Sequence, residues 1–419
     1  MIDNPSSERK FGKFPWKYAE SFLVSCSLVF IGFIIEFATG GKGVRLPGFP
    51  ANLLLLSLFI VYIAIFHFLV KHPVKKWLCS VHAAISAISV FAVLILLMGI
   101  VPQLPNKGND LIDKLGISHI VQSWPFFISC TYLLFVLSFI IVKRAFPLTL
   151  KNIAFTFNHL GLWIVLAAGS LGASDTMEFT MMLTKGKETY VAYDQRGKAY
   201  DVGFRLELIS FSIDEYPPEL GLFDYKTGKS ADAKATRPIV KKGGTAIMGD
   251  WKIEISDFIE NAQKDSTGYL PAVNPGAPAA YVKAVHRLNK AVVNGWVSSG
   301  SPFVYRDDLQ LSDNKFIAMT LRKPRKYISD VMAFYDGDQK TNFQLTVNNP
   351  YKFKGWTIYQ SGYDEQMGKW SEISIIRLVR DPWLPVVYTG IFMLLAGALL
   401  MLWTGRSGII KNKPQYDLG

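Results

Sequence analysis

Six stretches of this chain are long and apolar enough to cross a lipid bilayer, and they limit its fold more than any other feature. A membrane-spanning helix needs about 20 mostly apolar residues. The stretches lie near residues 18–38, 52–70, 82–102, 125–142, 153–174 and 383–403. They exclude a soluble cytoplasmic enzyme and a disordered nucleic-acid-binding arm. They predict a multi-pass membrane protein.

The basic residues predict how these spans are oriented. Alternate connecting pieces, together with both ends of the chain, hold 13 Lys and Arg, whereas the opposite short loops hold 4. Positively charged loops remain in the cytoplasm, so both termini are expected there. The long segment 175–381 then lies outside, with 28 basic against 26 acidic residues. Topology therefore explains most of the net charge of +12, and no nucleic-acid partner is implied.

The outer segment has the pattern of antiparallel strands. Apolar and polar residues alternate over 204–209, 251–255 and 342–347, and clusters of Gly, Pro, Asn and Asp separate these runs. The Pro- and Gly-rich segment 268–278 is predicted to be a loop. We expect a five-helix membrane domain at 1–174, an extracytoplasmic all-β domain at 175–381, and a final helix with a cytoplasmic tail at 382–419. The β domain is predicted to be sandwich-like or a pair of small β units.

The spacing of the cysteines disfavours a thiol-redox enzyme. Cys26, Cys79 and Cys130 lie in or beside apolar runs, and neither CxxC nor CxxCH occurs. The chain therefore has no dithiol motif and no covalent haem-attachment site of its own. Buried, unreactive thiols are expected.

One ionisable residue lies deep in a predicted span. His159 is about six residues into the fifth stretch, roughly 9 Å along the helix. An imidazole there can bond a neighbouring helix, relay protons or ligate a metal or haem iron, and the sequence alone leaves these open. Glu36, near the outer end of the first span, is expected at the interface or as a counter-charge in a polar pathway. The other histidines lie near predicted helix ends, in outer loops or in the outer segment: His67, His72, His82, His119 and His286.

Four segments resemble the ResB/CcsB family of cytochrome c biogenesis proteins. The most specific lies within 324–364, where VNNP at 347–350 is followed by GWTIYQS at 355–361. The others are FNHLGL at 157–162 followed by AAGS at 167–170, FRLELISFSIDEYP at 204–217, and RDP at 380–382. The resemblance covers roughly residues 153–404. Family members typically have three spans before the outer domain, whereas five are predicted here.

The resemblance implies a function in a bacterial inner membrane. With a CcsA/ResC-type membrane partner, such a chain carries reduced haem b outward and presents it for attachment to the CxxCH motif of apocytochrome c. The chain is then not catalytic alone but part of a cytochrome c synthase complex. By motif match, His159 is the haem axial ligand. His82 is the second candidate if the additional helices shift the register.

Other classes remain for comparison. A non-catalytic scaffold or sensor with a β ectodomain would use His159 only between helices. A transporter of another small molecule has no support, because no inverted repeat is evident. Haem absorption in the purified complex would separate the first two classes.

Overall fold

The computed structural model describes residues 11–104, 110–231, 237–273, 275–311, 314–337 and 339–411. Residues Met177–Arg380 form one compact unit, and the segments before and after them form the second. Within the described residues, six helices are long and apolar enough to span a membrane, and the antiparallel β unit lies between the fifth and sixth. The predicted fold class is therefore confirmed. The two tails expected in the cytoplasm lie partly outside the described residues, at 1–10 and 412–419.

The described part of the membrane unit contains the six long helices and three short helical segments. The long helices are α1 (Tyr18–Ala38), α2 (Ala51–Leu69), α4 (Val81–Ile100), α6 (Trp124–Arg144), α7 (Leu150–Gly172) and α8 (Leu384–Lys411). The short segments are α3 (Pro73–Leu78), α5 (Asp110–Lys114) and a 3₁₀ turn (Ile117–Gln122). Ser80, Ser123 and Thr149 cap α4, α6 and α7 by accepting hydrogen bonds from backbone N–H groups three residues ahead.

Hydrogen bonds between polar side chains join several of these helices. Ser25 of α1 bonds Ser86 of α4 at 3.1 Å, and Trp163 of α7 donates to Ser138 of α6 at 2.8 Å. Such bonds are favourable in a membrane because no water competes for the buried groups.

Close packing of α7 on α8 depends on glycine. Gly161 lies against the backbone of Gly390 and Leu394, and Gly397 lies against the backbone of Asn158. This approach lets the Asn158 side-chain amide donate to the Leu394 carbonyl at 3.0 Å. Small residues permit such contact because no Cβ separates the two backbones.

The β unit has sixteen strands within the described residues. They are β1 (Met177–Thr184), β2 (Glu188–Tyr193), β3 (Ala199–Glu215), β4 (Leu220–Asp224), β5 (Thr245–Met248), β6 (Trp251–Lys264), β7 (Tyr269–Pro271), β8 (Ala277–His286), β9 (Val292–Ser298), β10 (Leu309–Gln310), β11 (Lys315–Met319), β12 (Pro324–Tyr335), β13 (Gln339–Thr346), β14 (Tyr351–Phe353), β15 (Trp356–Tyr363) and β16 (Ile373–Arg380). All the pairings between these strands are antiparallel.

Eight strands form one curled sheet in the order β13-β12-β3-β2-β1-β16-β15-β14. Alternate residues point into one core, which includes Leu206, Leu345 and Ile376 with no solvent exposure. The two end strands approach each other, since Phe343 of β13 stacks on Tyr351 of β14 with ring centroids 4.2 Å apart.

A β-sandwich is inserted between two neighbouring strands of this sheet. Strands β4 to β11 lie in the chain between β3 and β12, which pair with each other. The sheets β10-β11-β4 and β5-β6-β8-β9 face each other across a second core that includes Trp251, Val282 and Ile317. The predicted sandwich-like all-β domain is thus found, with the sandwich and the curled sheet forming two cores within one compact unit.

The loop predicted at 268–278 is wrong in part. Tyr269–Pro271 forms β7 beside β6, and β8 begins at Ala277. Tyr269 explains the difference, because its ring is buried and its hydroxyl donates to Asp307 at 2.6 Å. This tertiary contact outweighs the local preference of the glycines and prolines for a loop.

Candidate functional site

His159 lies in the first half of α7, with its ring half-buried. Its Nδ1 is 2.9 Å from the carbonyl oxygen of Phe155, one helical turn earlier. A carbonyl only accepts hydrogen bonds, so Nδ1 carries a proton, and in a neutral ring Nε2 then has a free lone pair. The imidazole also stacks on the Phe155 ring, with centroids 3.7 Å apart and planes inclined by 21°.

This arrangement fits a metal ligand. Ligating histidines usually donate their second N–H to a carbonyl or carboxylate, which fixes the tautomer and orients the ring. In His159 the Phe155 carbonyl has that position, and Nε2 is the nitrogen available for an iron. Within the described structure, the hydrogen bond of His159 stays inside α7, so bonding to a neighbouring helix finds no support there.

A cation lies next to this pair of rings. The guanidinium carbon of Arg144, the last residue of α6, is 4.4 Å from the centre of the Phe155 ring. Of the neighbouring lysines, Lys143 donates to the Cys79 carbonyl at 3.3 Å, and Lys151 is exposed at the start of α7.

His82, the second candidate ligand, has a different environment. It is the second residue of α4, and its ring packs edge-to-face with the Tyr18 ring, with the ring centroids 4.5 Å apart. No contact described for either histidine joins His82 to His159. The structure therefore does not bring the two candidates together as a pair.

His67 is a polar group that the sequence did not single out. It lies near the end of α2, and its Nδ1 is buried without a hydrogen-bond partner in the described part of the chain. Its ring stacks near Phe139 of α6, with centroids 6.1 Å apart. Lysines follow His67 at positions 71, 75 and 76, and nothing in this local sequence distinguishes a ring turned towards a neighbouring helix.

Glu36 is not at an exposed interface, because its side chain has 0% exposure. Its carboxylate accepts hydrogen bonds from the backbone N–H groups of Gly43 at 2.9 Å and Trp124 at 2.7 Å. His119 Nε2 is 3.6 Å from the same group, beyond hydrogen-bond length. Glu36 thus fixes a loop and the start of α6, and this buried role accounts for a carboxylate in an apolar helix.

A second carboxylate joins three helix ends. Asp175, just after α7, accepts hydrogen bonds from Asn52 Nδ2 at 2.6 Å, Trp383 Nε1 at 2.6 Å and the Phe49 N–H at 2.7 Å. Burial alone would raise the pKa of this carboxyl, but the three hydrogen bonds lower it on balance. The α7 end, the α2 start and the segment leading into α8 are therefore held at one point.

The family-like motifs in the β unit and directly after it have structural explanations. Gln360 lies at a bulge in β15, where its Oε1 accepts from Ser329 at 2.7 Å and Ser374 at 3.1 Å. Both hydroxyls are fully buried. Asn348 and Gly355 have φ of 64° and 82°, as the turns on either side of β14 require. Asp381 of the RDP motif accepts from the N–H groups of Trp383 and Leu384, which caps the start of α8.

Replacing Gln360 with Ala is expected to destabilise the protein by about 2 kcal/mol, because Ser329 and Ser374 lose a shared buried acceptor. The measurement is the apparent melting temperature of the purified protein. Gln344→Ala is the matched control, since that side chain is exposed and, among the residues that the structure describes, bonds only Asp330. Equal melting temperatures for the two variants would contradict a structural role for Gln360.

The comparison with known families concerns the second half of the β unit. The model of the ResB-like family matches residues 286–377, from the end of β8 to within β16. No curated protein matches the chain. The resemblance to the ResB/CcsB family is thus confirmed over this segment.

Proposed function

We propose, on the premise that this chain is ResB-like over residues 286–377, that it is a haem-handling subunit in cytochrome c biogenesis. With a CcsA/ResC-type partner, it carries reduced haem b from the cytoplasmic side and presents it for attachment to the CxxCH motif of apocytochrome c. Haem is the cargo of this protein, and the attachment chemistry belongs to the complex.

The observation that carries the proposal is the contact between His159 Nδ1 and the Phe155 carbonyl. In a neutral imidazole this contact leaves Nε2 free inside a membrane-spanning helix. That nitrogen suits an axial position on haem iron. The second axial imidazole is assigned to the partner, as the family resemblance implies.

The charge at the same end of α7 supports haem entry from the cytoplasm. Lys143 and Arg144 end α6, and Lys151 follows at the start of α7. Lysine and arginine near short loops favour the cytoplasmic side. These cations are also suited to attract the negatively charged propionates of haem as it approaches.

The proposed location and partners rest on the family resemblance and on the charges of the loops. The chain is proposed to lie in a bacterial inner membrane, with both termini cytoplasmic and the β unit on the outer side. There the β unit would meet the apocytochrome and shield reduced haem.

No observation specifically supports the scaffold or sensor alternative. It would use His159 to bond a second helix, whereas the bond found is to the carbonyl of Phe155 in the same helix.

The test is haem content after co-production with the CcsA/ResC-type partner. His159→Ala is expected to lower bound haem and cytochrome c maturation by about tenfold or more, because the haem iron loses one of its protein ligands. Added imidazole should restore part of both, because it can occupy the vacated axial position. His286→Ala in the β unit is the control and should bind haem as the unchanged protein does.

Two results would contradict the assignment. Unchanged haem content and maturation in His159→Ala would remove His159 as the ligand. Loss of haem in His82→Ala, with none in His159→Ala, would move the assignment to α4.

A further inference from the structure

The sandwich is open along one side, between the ends of its two sheets. Strand β5 ends one sheet and pairs only with β6 among the described residues. In the other sheet, the segment 238–240 lies beside the start of β4, since the Leu220 N–H donates to the Pro238 carbonyl at 3.0 Å. No backbone pairing joins β5 to 238–240 within the described chain. We call the gap between these two end segments the seam.

A cavity of about 320 Å³ lies in the seam. Its apolar wall belongs to the core of the sandwich, where Leu220, Ile253 and Ile255 are at most 2% exposed. Ala246 of β5 also lines the cavity, and Ile239 lines it from the segment 238–240 and is 55% exposed. The cavity therefore gives a side chain from outside access to the core.

β5 also has backbone groups that no other strand uses. It joins β6 through a two-residue turn in which Gly249 has a φ of 57°. The residues that flank such a turn bond each other, and bonding then alternates along the strand. Gly244 fits this alternation, because its carbonyl accepts from the Ile255 N–H at 2.8 Å. Thr245 and Ile247 therefore direct their N–H and C=O groups away from β6, towards the free edge.

The cavity has a positively charged rim. Arg237 and Lys241 line it and are exposed. Neither forms an ion pair within the described residues, and the contact described for Arg237 is with the Phe223 ring at 5.7 Å. Lys242 differs, because its ammonium is 2.8 Å from Asp257. No carboxylate of the described chain lines the cavity, so its charge favours an acidic occupant.

We propose that the seam binds an extended, acidic segment of another protein, which pairs with β5 and inserts an apolar side chain into the cavity. Main-chain bonds to an edge strand give affinity, and pockets for alternate side chains give selectivity. A second copy of this chain fits less well, because its own seam would bring the same two cations. The residues of the seam precede 286–377, so this proposal is independent of the family match and of haem handling.

The experiment measures binding of labelled synthetic peptides to the full-length chain in detergent, by fluorescence anisotropy. The probe is a blocked octapeptide of alternating glutamate and leucine, whose period of two favours a strand. One comparison peptide has lysine in place of glutamate, and the other has alanine in place of leucine. The unchanged protein should bind the probe at least about tenfold more tightly than either, on the order of one charged contact or one buried leucine.

Ala246→Phe fills the cavity and should weaken binding of the probe about tenfold or more. Val292→Phe is its matched control, because Val292 lies on β9 at the other end of the same sheet and is 56% exposed. Arg237→Gln combined with Lys241→Gln should give a similar loss. Lys242→Gln is the control for charge, since Lys242 already has its own carboxylate partner.

The edge of β5 is tested separately by Ile247→Pro, which removes one outward N–H and should also weaken binding of the probe. The apparent melting temperature of each variant shows whether it is folded. If Ala246→Phe or Ile247→Pro does not fold, the exposed positions Arg237 and Lys241 still provide the comparison.

Equal affinity of the unchanged protein for the glutamate and lysine peptides would overturn the proposal. So would an equal loss in Ala246→Phe and Val292→Phe, or in the double variant and Lys242→Gln. A dimer of the chain that Ala246→Phe separates would assign the seam to a second copy, and the proposal would then be wrong.

Discussion

Gly161→Ala is expected to destabilise the membrane unit by about 3 kcal/mol, because the added methyl group has no space. A Cβ built on Gly161 would lie 2.6 Å from the carbonyl oxygen of Gly390 and would also collide with the backbone of Leu394. Neither neighbour is a flexible side chain, so α7 and α8 must move apart. That movement would also stretch the bond from Asn158 to Leu394.

Gly169→Ala is the matched control for this prediction. It lies on the same helix, but a Cβ there meets nothing within 4 Å. Alanine is favoured over glycine in a helix by about 1 kcal/mol, so this variant should be neutral or more stable. The measurement is the apparent melting temperature in detergent. Equal values for the two variants would contradict the described crossing of α7 and α8.

Asp175→Ala is expected to lower stability by about 2 kcal/mol or more, because three donors lose one acceptor. Most of this loss in stability is expected from Asn52 and Trp383, because Asn52 Nδ2 and Trp383 Nε1 each lie 2.6 Å from the Asp175 carboxylate. Phe49 is exposed, and its N–H can bond water instead. The expected signature is a lower melting temperature together with a shift in Trp383 fluorescence.

Ser174→Ala separates this effect from a general sensitivity of the segment. Ser174 is adjacent and exposed, and its hydroxyl only donates to the carbonyls of Pro47 and Leu171. Its replacement should change stability by less than about 1 kcal/mol. A loss as large as that of Asp175→Ala would show that the carboxylate is not the important group.

The parts of the fold that depend on local pattern could be predicted from sequence. Long apolar runs specify membrane helices directly, because the bilayer leaves few alternatives. Alternation over 204–209 and 342–347 likewise predicts strands that are present in β3 and β13. His159 could be singled out because an ionisable group deep in a span is costly.

The contacts between distant segments could not be predicted. Nothing near Asp175 indicates that Asn52 and Trp383, each more than 100 residues away, will share its carboxylate. The pairing of β3 with β12 could not be predicted either. Alternation of apolar and polar residues shows which face of a strand is buried, but it does not show which strand lies beside it. Arg237 and Lys241 resemble any other basic residues until the cavity beside them is known.

The sandwich inserted between β3 and β12 has a consequence for how the β unit is assembled. Pairing these two strands directly would require closing a loop of about a hundred residues, with the entropy cost that this carries. In the folded sandwich, however, the two connections already meet, since the Tyr216 N–H donates to the Lys323 carbonyl at 2.9 Å. A sandwich that folds first would present β3 and the start of β12 as neighbours. The eight-stranded sheet would then form around this junction. The pairing of β3 with β12 would no longer require the closure of a long, unstructured loop.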